Sequence, residues 1–407
     1  MLKNPILLFA ILILITPLTA GEIISLEDIT NPGYSFHIDG NELFVVNDYS
    51  VFVYELNPLK LKFKIGQKGD NPTDFKYRPL LYVYPDCIVA LDYTKTLWYS
   101  REGKLLKIKD YYDFKDFNTG QEMRLLPVKN HYIRIVADHD LCTQSVYLLD
   151  EKFQRIALLH EGLFDWWPPS LRDPSKTENF KLISHSMDAE VLDDRIFIFD
   201  SNRGFFIKVY DHTGKLLNAV SHNSERCKRI TDEYKAKVID YRLERDPQDY
   251  FEKIPKEAFA FYTFYPPIES LRTAENFLLA TTYLEEDQGH EIIVMDLTGQ
   301  IIKRIYPRLP SFKYTKSLLA KDLYAFHQGK LYQLIRNKTT MLWELHIDPI
   351  DYGRISTYEP TLNPNRRNMD EEKRFFGKNR VQCRRHGIGS FLASCGSGGR
   401  TAEKAPV

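Results

Sequence analysis

Between residues 34 and 347 the hydrophobic positions gather into runs of four or five, each bounded by polar turn residues, and this grouping recurs six times. Each unit opens on a turn: Asp39-Gly40, Pro85-Asp86, Lys129-Asn130, Asp193-Asp194, Glu275-Asn276 and Gln328-Gly329. A β-branched and aromatic-rich run follows each turn, at 43–46, 88–91, 132–136, 196–199, 277–280 and 331–335. These runs are too short for helices and suit buried strands. After a polar break comes a second run, at 51–54, 97–99, 146–149, 207–210, 292–295 and 342–347. In several units a turn such as Asp211-His212-Thr213-Gly214 or Asp296-Leu297-Thr298-Gly299 leads to a third run. With a strand before the first turn, each unit has four antiparallel strands.

A four-stranded sheet that is apolar on both faces cannot stand alone in water. Neighbours must cover it, and closing the row into a ring removes the exposed ends. The predicted fold is therefore all-β, a six-bladed β-propeller over residues 21–350, with segment 23–29 completing the last blade. The first three turns are about 45 residues apart, near the usual blade period. The next two intervals are longer and hold insertions. One spans 161–181 and contains Trp166-Trp167-Pro168-Pro169. The other spans 223–258, where Thr231 can cap one short helix, from Asp232 to about Leu243, between blades 4 and 5.

The two ends of the chain break the pattern. Lys3, an apolar run at 5–15 and the small-residue exit Thr16-Pro17-Leu18-Thr19-Ala20 read as a secretory signal peptide over 1–20. Its apolar part is shorter than the roughly 20 residues of a bilayer-crossing helix. The mature chain is thus expected to be exported, periplasmic or extracellular, with no integral membrane segment and as a monomer. After Thr361 ten Lys/Arg face four Asp/Glu, so residues 351–407 read as a largely disordered basic C-terminal extension. Formal net charge is zero, which gives no reason to expect a nucleic-acid partner. Five cysteines form neither a disulfide framework nor a metal-site spacing.

The stretch Gly66-Gln67-Lys68-Gly69-Asp70-Asn71-Pro72-Thr73-Asp74-Phe75 joins one unit to the next. It resembles the inter-blade linker of secreted bacterial six-bladed β-propellers of the NHL-repeat-like kind. Asn71, Thr73 and Asp74 replace the glycine and Gly-Glu usual there. Phe264-Tyr265-Pro266-Pro267-Ile268-Glu269-Ser270-Leu271, preceded by the helical insertion, is similar to the start of the fifth blade in that family. The resemblance implies the fold. Because related propellers place a metal with His, Asp or Glu in the channel, it also admits a metal-dependent lyase or lactone hydrolase.

No nucleophile elbow, phosphate loop or zinc motif is present, so no catalytic residue and no cofactor is read from the sequence, and a divalent metal enters only with the enzyme reading. Asp48, Asp92, Asp138 and Asp200 end their strands, where a carboxylate can accept backbone N–H bonds of the next turn or contribute to a ring of ligands. Asp138-His139-Asp140 is the nearest approach to a metal site, and it also fits an ordinary polar turn. His37, His131 and His185 fall near channel-lining positions. Arg78, Arg124 and Arg272 stand just before or within first strands, where convergent guanidiniums would recognise an anion and neighbouring aspartates would instead pair with them. Trp166 and Trp167 are either a ligand platform or a plug folded against the ring. The expected function is binding of a protein, peptide or glycan through loops on one face or at the channel mouth, with a passive role in an envelope assembly as a weaker third reading.

Overall fold

The computed structural model describes residues 21–92, 94–110, 121–138, 143–164, 180–181, 185, 187–222, 228–245, 259–286, 289–309 and 323–352. Among them are six four-stranded sheets, here called blades 1 to 6 in chain order. Blades 1 to 5 span 32–65, 80–110, 121–163, 187–222 and 270–305, each a plain antiparallel succession from inner to outer strand. Blade 6 takes three strands from 324–349 and its outer strand, Glu22–Leu26, from the N-terminal side of blade 1. The closing register runs from Glu22 opposite Ile347 to Leu26 opposite Trp343. One helix, α1 (Asp232–Arg245), lies between blades 4 and 5.

Period-two alternation makes the ring. Successive side chains of a strand point to opposite faces, so every blade offers one apolar face to each neighbour. In blade 5, Leu278 and Ala280 join Phe197, Phe199 and Ile207 of blade 4, whereas Phe277 and Leu279 join Tyr324, Phe326 and Leu331 of blade 6. Equivalent buried clusters join blades 1 and 2, blades 2, 3 and 4, and blades 6 and 1. Each buried Leu, Ile or Phe contributes roughly 1.5–3 kcal/mol by leaving water, and no blade collects that contribution without both neighbours.

Two sequence signatures acquire a physical cause. In the linker after blade 1, Phe75 is fully buried and its ring lies where a Cβ on residue 66 would stand, 2.1 Å away, so Gly66, at φ +70°, admits no side chain. Asp74 accepts the N–H and the side-chain amide of Asn71 at 3.2 and 2.7 Å, which folds the linker back on itself. The second signature is the outer turn. Asp150, Asp211 and Asp296 each accept the backbone N–H groups two and four residues on, at 2.7–3.0 Å. Gly103, Gly214 and Gly299 of three outer turns then press against the preceding blade, on Phe63, on Leu148 and Leu159, and on Val220.

Candidate functional site

The antiparallel order sends the connections of every blade to two opposite ends. First-to-second and third-to-fourth strand turns share one end and are short, as Asp39-Gly40 and Asp211–Gly214 illustrate. Second-to-third turns and all connections between consecutive blades share the other. Both long insertions, 164–186 and 223–269, therefore belong to that second end, and they are joined. Phe180–Lys181 pairs in parallel with Phe259–Ala260, and the His185 ring meets Tyr262 edge-on at 4.5 Å.

The second insertion is anchored by aromatic packing. Thr231 Oγ1 caps α1 by accepting the N–H of Tyr234 at 3.2 Å. Tyr234 then meets Tyr265 edge-on at 5.4 Å, and Tyr265 stacks on Tyr283 of blade 5 at 4.6 Å. Burial pushes the Tyr265 and Tyr283 phenols far above their ordinary range, so both stay neutral donors. Lys228 donates to Glu285 at 2.7 Å beside this stack. Phe264, the residue before Tyr265, stays 48% exposed and faces solvent on this insertion.

The first insertion is held at both ends by one turn. Asp200 and His160 are buried, and His160 Nε2 lies 3.0 Å from Asp200 Oδ2. Asp200 also accepts the N–H of Asn202 at 3.0 Å, which starts the short 3-10 turn Ser201–Arg203. Asn202 Nδ2 donates to the carbonyl of Leu163, where the insertion leaves blade 3. The carbonyl of Ser201 lies 2.7 Å from His185 Nδ1, near where the insertion returns. Burial holds the His160 imidazole below its ordinary pKa despite the carboxylate. Burial raises the Asp200 carboxyl, but the bond from His160 and the N–H of Asn202 outweigh it and hold it below its ordinary value. Both directions describe a neutral imidazole donating Nε2–H to a carboxylate.

The three arginines stand at or near inner strands, each with its own partners. Arg124 bridges blades: Nη1 donates to Asp188 at 2.9 Å and to the Ala189 carbonyl at 2.7 Å, and Nη2 to Glu190 at 2.9 Å. Its guanidinium lies 5.7 Å from the ring centroid of Tyr82 in blade 2, whose phenol burial pushes up to about 12. Arg272 reaches blade 6, donating to the Tyr324 carbonyl at 3.3 Å and covering that ring at 4.5 Å. Arg78 pairs with Asp48 at 3.1 Å on the inter-blade end. Counted back from the inner turn, Arg124 is four residues up its strand and Arg272 two, while Arg78 precedes its strand altogether.

Other candidates separate in the same way. Asp92 accepts the N–H groups of Thr94 and Lys95, and Asp200 that of Asn202, as strand-end caps. Asp48 instead accepts side-chain donors, from Asn31 at 2.6 Å and from Arg78. His37 is on an inner strand, but His131 opens the second strand of blade 3, with its ring 6.2 Å from His212. Asp138 ends that strand. His139, Asp140, Trp166 and Trp167 lie outside the described residues. Among the described residues no three His, Cys, Asp or Glu gather as a metal site, and no helix is long and apolar enough to cross a membrane. Sequence reasoning missed Asp188 and Glu190, although two acids alternating with the buried Met187 and Ala189 in the strand Met187–Leu192 are a signal for a cationic partner.

These features define the class as a six-bladed β-propeller with one elaborated end. No family model matches the chain, and no curated protein matches it. Solved structures similar to it include a candidate exported protein from Bacteroides fragilis, at 11% identity and TM-score 0.47, covering 82% of this chain and 96% of that one. The calcium-binding protein regucalcin from Agrobacterium tumefaciens is similar at 9% identity and TM-score 0.38, covering 84% and 94%. Hsv2p from Kluyveromyces lactis is similar at 9% and 0.38, covering 83% and 80%.

Proposed function

We propose that this chain is an exported binding protein of the NHL-like propeller kind, which recognises a protein, peptide or glycan on the end that carries the inter-blade connections. One observation carries the reading: the two long insertions pair with each other through Phe180–Lys181 and Phe259–Ala260, and both are tied to the rigid ring. Long connections gathered and joined at one end of a scaffold suit recognition. Trp166 and Trp167 belong by sequence to the first of these insertions, and adjacent indoles are side chains of the kind such sites use. Arg78 adds a cation at the same end.

The test replaces residues 165–179 by a short Gly/Ser linker in the mature protein and compares both forms on glycan and peptide arrays. Loss of array binding with thermal unfolding nearly unchanged supports the reading. Retained binding refutes it. Stoichiometric divalent metal in the purified protein, bound by channel carboxylates or imidazoles, would favour the lyase or lactone hydrolase instead.

A further inference from the structure

An edge strand exposes unpaired backbone groups, and proteins guard such edges with charge. The outer strand of blade 1 does so with Lys60, Lys62 and Lys64, and that of blade 2 with Lys107 and Lys109. Blades 3 and 4 depart from this pattern. Residues 156–160 of the outer strand Arg155–Leu163 carry no Asp, Glu, Lys or Arg, nor does any part of the outer strand Leu216–His222. Five large apolar side chains are exposed on these two strands: Ile156, Leu158, Leu163, Leu216 and Leu217, all between 43% and 50%. Blade 4 meets the other face of the blade 3 sheet, since a Cβ on Gly214 would meet Leu148 and Leu159 at 3.1 Å while Leu158 pairs opposite Tyr147. Ile156, Leu158 and Leu163 thus belong to the edge of blade 3 alone.

The charges at the ends of the blade 3 strand say what fits there. Antiparallel pairing of this strand with its own copy, about a twofold axis at Leu158, sets Arg155 opposite Glu161 of the second copy, and Glu161 opposite its Arg155. Two opposite-charge pairs then flank the apolar centre. The lysine-bearing edge of blade 1 would meet like charge in any such arrangement, which is destabilising across a strand pair.

We infer that the protein forms a symmetric dimer in which the outer strands of blade 3 pair edge to edge. This replaces the monomer expected from sequence and is independent of the ligand-binding reading. Analytical ultracentrifugation of the mature chain across a micromolar concentration series tests it. The expected result is a reversible shift from one chain to two. Leu158→Lys, which sets like charges across the axis, should leave a single chain with thermal unfolding unchanged. Arg155→Glu should weaken association by about tenfold or more, equivalent to about 1.4 kcal/mol, and Arg155→Glu/Glu161→Arg should restore it. Leu106→Lys, on the 58% exposed outer edge of blade 2, should have no effect. A single chain at every concentration, a Leu158→Lys protein that dimerises as well as wild type, a charge swap that fails to rescue, or a dimer lost in Leu106→Lys would each overturn the inference.

Discussion

If outer-turn glycines fit each blade onto the one before it, adding a single methyl group at Gly299 should cost far more than adding one at Gly40. Both have positive φ, at +87° and +58°. Their surroundings differ. A Cβ at Gly299 would lie 2.1 Å from Val220 Cγ2 and 2.9 Å from Val220 Cβ on blade 4, whereas nothing lies within 4 Å of Gly40. A left-handed conformation costs an L-residue about 1–2 kcal/mol, and restricting the unfolded chain offsets about 0.4–1 kcal/mol of it. Gly40→Ala should therefore lose about 0.5–1.5 kcal/mol. Gly299→Ala adds about 1–3 kcal/mol of overpacking, for a total of about 2–4 kcal/mol.

Thermal unfolding followed by circular dichroism separates the two. For a propeller of this size each kcal/mol moves Tm by about 1.5 °C, so Gly299→Ala should lower Tm by roughly 3–6 °C and Gly40→Ala by about 1–2 °C. Val220→Ala supplies the internal check, since removing Cγ1 and Cγ2 takes away most of the collision. The penalty of Gly299→Ala should shrink by about 1–2 kcal/mol in that background, a coupling typical of residues in contact. Equal losses at the two glycines, or a Gly299→Ala penalty indifferent to Val220, would refute the blade-to-blade fit.

Further outcomes follow from buried polar groups. In Asp200→Asn one amide oxygen cannot accept from both His160 and Asn202, so the substitution should cost about 1–3 kcal/mol at neutral pH. Because His160 is held below its ordinary value of 6.5, its contribution is complete above that pH and is lost as pH falls through the lower folded value. The lowered Asp200 carboxyl contributes above 3.8 and is lost below it, so the Tm advantage of wild type over His160→Leu should start to narrow below pH 6.5. An advantage independent of pH would show that the imidazole does not titrate with folding. Arg124→Met should cost about 3–5 kcal/mol in urea unfolding, since Asp188 and Glu190 would lose the guanidinium they share. Arg78→Met should change stability by less than about 1 kcal/mol, because Asp48 is nearly half exposed.

What the sequence conveyed was the chemistry that is local along the chain. The six runs and their turns place the blades because a strand and its hairpin neighbour are only a few residues apart. Thr231 announces α1 for the same reason, and Gly66 to Phe75 forms one self-contained linker. Blade-to-blade chemistry was not legible. Arg124 meets acids 64 and 66 residues further on, and Asp48 turned from the expected cap to Asn31 and Arg78 because those donors come from other connections. His131 falls on a second strand because its turn, Lys129-Asn130, precedes it. The pairing of the two insertions was equally hidden, since neither Phe180–Lys181 nor Phe259–Ala260 is long enough to carry a strand pattern.

The two ends of the ring therefore answer to different physical demands. At the short-turn end, each outer turn presses on the preceding blade, as Gly103 does on Phe63 and Gly299 on Val220, so sequence there is constrained by the fit between blades. At the other end, Asp200 spends its bonds on holding an insertion to the ring: through Asn202 to Leu163, and through Ser201 to His185. An insertion fixed at both ends by a buried carboxylate can change its middle residues without disturbing the ring. It follows that substitutions at the short-turn end should register mainly as lost stability. Substitutions within 165–179 should leave the thermal unfolding of the ring nearly unchanged.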